Sequence, residues 1–230
     1  ILKTRADLRD SWILLGFSYL NLGEYYFALT SFQRAYELDS EWPATQYFLG
    51  LTYKELKDSN QAITYFNYAL KNQFEPRVVV LRQLADLYLE TKDYETAVKT
   101  YRAVLDLNDD DVNSFVRPIW LYLDLLEKPE EALKLAELAM ISFPDNAMAY
   151  NLLGWSQSRN GDFREAEKNL KKALELDPNL VGAHYNLGKL YEASGNLNDA
   201  LKAYEKAYTL DQSGSLGRLA AERYNALLKQ

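Results

Sequence analysis

The chain has 230 residues, with 33 acidic against 26 basic side chains and a formal net charge of −7. That balance, with no basic patch, argues against a nucleic-acid partner. The absence of cysteine excludes disulfides, thiolate metal sites and a cysteine nucleophile, and no run of about 18 apolar residues is present to span a membrane.

Hydrophobic residues make up 48% of the chain, which is ordinary for a folded protein and argues against disorder. No signal peptide is read at the start. A start at Ile1 rather than Met fits a processed chain and a segment of a longer protein equally well. A soluble chain is expected, with cytoplasmic and periplasmic settings both open and the oligomeric state unspecified.

Residues 1–8 either extend the first helix or end one that lies upstream. From residue 9 a period sets in. Trp12, Leu15, Tyr19 and Leu22 recur at helical spacing. Gly23 follows, where a helix ends in a left-handed residue, and a second helix is predicted near Tyr25 to Leu38. The same design returns down the chain. Ala28, Ala62, Ala97, Ala132, Ala166 and Ala200 stand 34 or 35 residues apart. Ala35, Ala69, Val104, Ala139, Ala173 and Ala207 keep the same steps, as do the pairs from Leu15-Gly16 through Leu49-Gly50 and Leu153-Gly154 to Leu187-Gly188. The predicted copies are residues 9–42, 43–77, 78–112, 113–146, 147–180 and 181–214, followed by a capping helix over 215–230.

Small residues in mid-helix have a physical reason. Glycine there costs up to about 1 kcal/mol relative to alanine, which a sequence keeps if the paired helix must come close. Gly16, Gly50, Gly154 and Gly188 are therefore expected to face Ala28 and its equivalents. Phe32, Phe66, Tyr101 and Tyr204 are expected to fill the gaps between neighbouring pairs. Asp162 with Glu165 reads as a capping box, with Asp93 and Asn196 in equivalent places. Pro129 suits a first helical turn.

The fourth copy is irregular. Pro118 lies inside its first helix, and Trp120 takes the place of the small residue. The expected register aligns Ile119-Trp120 with the Leu-Gly pairs, because Leu123 to Ala132 then keeps the nine-residue step seen from Tyr19 to Ala28; the alternative aligns Phe115 and Tyr122 with the usual aromatics. Both predict local distortion. In residues 215–230, Leu216, Leu219, Ala220, Leu227 and Leu228 read as the apolar side of a terminal cap.

This pattern resembles the tetratricopeptide repeat, whose copies carry Trp/Tyr, Leu-Gly, Tyr, Ala, Phe/Tyr, Ala and Pro at such a period. Trp12, Leu15, Gly16, Tyr19, Ala28, Phe32 and Ala35 supply all but the closing proline in the first copy. The resemblance implies an all-α, right-handed α-α superhelix, and a scaffold that binds other proteins. Some members clamp a C-terminal carboxylate with Lys, Asn and Arg on three first helices. Asn186 matches one place, but Leu152 and Trp155 stand where basic residues would be needed. A groove-long ladder of asparagines is also missing.

No catalytic residue, metal site or cofactor is expected. His184, the only histidine, falls on a packing position held elsewhere by Trp12 or Tyr150. Asp109-Asp110-Asp111 lacks the alternating ligands and the glycine of a calcium loop and reads as a solvated turn.

Binding is expected on the first helix of each pair. The positions two before the Leu of each Leu-Gly pair, and one and four after its Gly, give the wall of a concave groove. In the first three copies that rule selects Ile13, Phe17, Leu20, Tyr47, Leu51, Lys54, Arg82, Asp86 and Leu89, and in the later copies it adds Asp124, Ser158 and Glu192 to the residues that follow; Phe17, Tyr47, Leu51 and Arg82 are the binding candidates among the first nine. In the fourth it selects Arg117 and Leu121, with Trp120 replacing Leu121 in the other register. The fifth and sixth contribute Asn151, Trp155, Tyr185 and Lys189. Phe17, Tyr47, Trp155 and Tyr185 are large rings where packing does not demand them, and Arg82 with Arg117 would suit a partner carboxylate. The leading expectation is a non-catalytic adaptor for a peptide or partner helix. A self-assembly module and the repeat portion of a larger protein are the alternatives.

Overall fold

The computed structural model describes residues 2–107 and 111–229. Among them the fold is all-α, with thirteen α-helices and no strand. It divides into two units, Ile1–Leu107 and Asn108–Gln230.

Unit 1 holds three helical hairpins. They pair α1 (Leu2–Asn21) with α2 (Tyr25–Leu38), α3 (Pro43–Glu55) with α4 (Ser59–Lys71), and α5 (Arg77–Glu90) with α6 (Tyr94–Leu105). The hairpins close because glycine removes a side chain where a ring arrives. A Cβ on Gly16 would lie 2.7 Å from the Phe32 ring, and one on Gly50 2.7 Å from Phe66. The glycines thus meet the aromatic one turn beyond Ala28 and Ala62, rather than those alanines themselves. Phe32 also serves the interface between hairpins, stacking on Phe48 of α3 at 5.3 Å. Gly23 adopts φ +77° at the α1–α2 turn, as its place at a helix end requires.

Not every apolar residue of the first hairpin is covered. Leu15 is 40% exposed and Leu22 74% exposed. The equivalents Leu49 and Leu84 are buried because the second helix of the hairpin before each one lies across it.

Unit 2 begins irregularly. A 3₁₀ turn (Val112–Phe115) leads into the short α7 (Val116–Trp120), and a π segment (Leu121–Leu125) continues it. Then follow α8 (Pro129–Ser142), α9 (Ala147–Arg159), α10 (Phe163–Leu176), α11 (Val181–Ala193), α12 (Leu197–Leu210) and α13 (Ser215–Leu227). Of the acidic run, Asp109 and Asp110 lie outside the described residues. Asp111 accepts from the Asn113 amide at 2.9 Å and so starts the 3₁₀ turn.

The π segment resolves the two registers of the fourth copy. Phe115, Pro118 and Ile119 are buried, as the second register requires, and so is Leu121. After the wide turn, in which the Leu126 amide donates to the Leu121 carbonyl, Leu123 is buried and the nine-residue step to Ala132 is kept. One extra residue is absorbed where the helix widens. Pro129 occupies the first turn of α8 as expected.

Helix starts differ in detail from expectation. Asp93 accepts from the Thr96 amide at 3.2 Å and Asn196 from the Asp199 amide at 3.4 Å. Asp58 does the same for Gln61 at 3.1 Å. The Asp162 carboxylate makes no such bond, so the capping box there does not form. At the other end of the chain, Asp211 accepts from the amides of Gly214 at 3.0 Å and Gly217 at 3.2 Å, which holds the start of α13. Gly217, Ala220 and Leu227 are buried, whereas Leu219 and Leu228 of the expected apolar side are exposed.

Candidate functional site

A cleft of about 610 Å³ lies within unit 2. Its walls come from first helices. Val116, Trp120 and Asp124 stand on one side, Asn151, Leu152 and Trp155 of α9 and Tyr185, Asn186 and Lys189 of α11 form the middle, and Leu216 and Leu219 of α13 close the other side. Helical spacing explains the middle. Asn151 and Trp155 are four residues apart, as are Tyr185 and Lys189, so each pair shares a face.

The floor is polar and satisfied. The Asn186 side-chain amide donates to the Asn151 carbonyl oxygen at 2.9 Å, and both residues are buried. Asn151 Nδ2 in turn reaches Met148 Sδ at 3.5 Å. Gly182 leaves room for this, since a Cβ there would stand 3.3 Å from Asn151 Nδ2. Trp155 contributes a ring face, and its Nε1–H is buried with no acceptor among the described residues.

One end of the cleft carries charge. Arg159 pairs with Asp124 at 2.5 Å and donates to the Leu123 carbonyl. Arg223 pairs with Glu192, which also accepts from the Tyr204 hydroxyl at 2.7 Å. Lys189 feels the charges of Asp124, Arg159 and Arg223, and its Nζ lies 5.8 Å from the Tyr185 ring centre. No carboxylate closes on Lys189 within ion-pair distance among the described residues. Burial holds its ammonium below the usual lysine range; Asp124 opposes that shift, and Arg159 and Arg223 add to it. Burial also pushes the Tyr185 and Tyr204 hydroxyls up, so both rings stay neutral.

The ten residues expected to line a groove separate clearly. Asn151, Trp155, Tyr185 and Lys189 meet in this cleft. Leu121 does not, because the π segment turns it wholly into the core, and Trp120 takes the wall position instead. Arg117 is exposed on α7 outside the cleft. In unit 1, Phe17 meets Phe48 edge-on at 5.6 Å. Tyr47 stacks on Phe74 at 4.4 Å, so packing does demand that ring. Leu51 packs on the core around Phe66 and Leu84, and Arg82 is exposed on α5. His184 is half-buried, and its Nε2 lies 2.9 Å from the Pro178 carbonyl oxygen. Sequence reasoning missed Leu216 and Leu219 as wall residues, since an apolar stripe does not say which neighbour it faces.

Among the described residues no helix is long and apolar enough to cross a membrane, and no group of three or more His, Asp or Glu could hold a metal.

Comparison with known proteins agrees with the geometry. Tetratricopeptide repeat profiles match residues 10–41, 43–75, 82–111 and 152–215, well over half of the chain. Mouse Superkiller complex protein 3 is 30% identical over 96% of the chain, and the chain spans 15% of that protein's length. A tetratricopeptide repeat protein from Parabacteroides merdae superposes with a TM-score of 0.70 at 17% identity, covering 97% of this chain and 91% of the other. YrrB, described as a TPR protein with an unusual peptide-binding site, gives 0.56 at 20% identity, covering 83% and 97%. With its small-residue hairpins and first-helix cleft, the chain belongs to the tetratricopeptide repeat family.

Proposed function

We propose that the chain is a non-catalytic interaction scaffold that holds a peptide segment of a protein partner in the unit 2 cleft. The observation that carries this reading is the convergence of Trp120, Trp155, Tyr185 and Lys189 from three first helices on one cavity. Aromatic side chains at the centre of a concave, largely apolar site are the residues that supply most binding energy at interfaces. The peptide-binding site attributed to YrrB, and the complex named in the mouse relative, support a binding role. Selection of a phage-displayed random dodecapeptide library on the chain tests it. Peptides enriched by the wild type are expected to lose binding at least tenfold on the Trp155→Ala/Tyr185→Ala variant. Equal binding by a variant of unchanged helical content removes the cleft from consideration.

A second reading is favoured by the α1–α2 turn, where Leu22, Tyr26 and Phe27 are exposed together with Leu14. An apolar surface of that kind suits self-association. Light scattering over a concentration series separates it: a mass that stays that of one chain counts against it.

A further inference from the structure

The charges around the cleft do not cancel evenly. Asp124 is held by Arg159, and Glu192 by Arg223. Asp177, at the loop before α11, accepts from the Asn179 amide at 3.0 Å. Asp177 keeps its negative charge there, since a backbone amide does not neutralise it, while the Lys189 ammonium, half-buried against the Tyr185 ring, has no carboxylate within ion-pair distance among the described residues and feels Asp124 only from further off. A cation removed from water is retained at a cost unless something pairs with it. Burial accordingly holds its pKa below the usual lysine range. The cleft that Lys189 lines also has Trp120, Trp155, Leu216 and Leu219 as apolar walls, and an apolar surrounding strengthens any pairing made there.

Resting on the peptide-scaffold reading above, we infer that the segment bound in this cleft carries an Asp or Glu side chain that pairs with Lys189, next to a large apolar side chain seated among Trp120, Trp155 and Leu219. A side-chain carboxylate fits better than a chain terminus. A terminal carboxylate is gripped by several free donors at once, whereas here Arg159 and Arg223 are already committed and Lys189 offers a single point charge on a flexible stem.

The experiment uses the full chain and a random dodecapeptide library fused through its C-terminus, so that no displayed peptide has a free terminal carboxylate. Enriched peptides are expected to share an acidic residue at a fixed spacing from an aromatic residue or leucine. The best of them is then made with an amidated C-terminus, together with its Glu→Gln (or Asp→Asn) form. On the wild type the amide form is expected to bind about tenfold more weakly, and on Lys189→Met the two forms are expected to bind alike. Equal losses on both proteins, or enriched peptides without an acid, overturn the inference. Enrichment that requires Trp155 and Tyr185 but ignores Lys189 sinks this inference alone. Enrichment that ignores the two rings, or no enrichment over the ring variant, sinks the scaffold reading with it.

Discussion

The side-chain amide of Asn186 on α11 donates to the side-chain oxygen of Asn151 on α9 at 2.9 Å, tying two successive first helices together under the cleft. Asn151 is 4% exposed and Asn186 8% exposed, so neither can turn to water if its partner is lost. Asn151→Ala is expected to destabilise unit 2 by about 1–3 kcal/mol, the cost of a buried polar group left unmatched. Replacing both by leucine removes the need for a partner and is expected to recover part of that loss. Urea denaturation of the two variants checks this; a double variant less stable than the single one would contradict it.

Trp155 has the opposite situation, a buried N–H with no acceptor among the described residues. Trp155→Phe removes that donor and keeps most of the ring. Thermal stability is expected to hold or rise by up to about 1 kcal/mol. Trp155→Ala, by contrast, is expected to lose about 2 kcal/mol of packing. A Phe variant as unstable as the Ala variant would show that the indole N–H is satisfied after all.

Lys189 links stability to pH. Its folded pKa is lowered by burial, against the pull of Asp124. Between that lowered pKa and the unfolded one, the unfolded chain binds more protons, so stability rises with pH across this alkaline interval. Below it, the buried charge is a constant cost. Lys189→Met is therefore expected to raise Tm at pH 7 by roughly 1–3 °C, allowing for the solvent that still screens the ammonium. It is also expected to flatten the alkaline rise. Calorimetry over pH 7 to 11 reads both effects, and a lower Tm at pH 7 would refute the assignment.

Gly217 fixes α13. A Cβ there would fall 1.6 Å from the Asp211 backbone oxygen, which no small adjustment relieves. Gly217→Ala is expected to cost about 3 kcal/mol locally and to displace Leu216 and Leu219 from the cleft wall. Faster amide exchange across residues 215–227, with weaker peptide binding, is the expected result. Unchanged exchange would mean that the helix start moves freely.

How far the sequence could be read depended on whether neighbours in space were also neighbours in the period. Ala28, Phe32 and Gly16 sit at fixed offsets, so the hairpins were legible from their recurrence. The four cleft residues on α9 and α11 were legible for the same reason. Leu121 was not, because burial there is set by a π turn and not by periodic spacing. The expected register of the fourth copy fits only after that turn, where Leu123 keeps its step to Ala132; before it the alternative fits, with Trp120 and not Leu121 on the wall. Tyr47 was misjudged because its stacking partner Phe74 lies outside the repeating positions. Leu216 and Leu219 answer to the Asp211–Gly217 geometry, which no period encodes.

The widened turn after Trp120 also makes one hairpin unlike its siblings. An array of interchangeable modules presents the same face at every step and cannot tell a visitor where to stop. Here a single surplus residue sets an indole beside α9, and on the proposed scaffold reading that indole is the landmark, so exchanging this module for a regular one is expected to preserve the architecture while erasing that landmark.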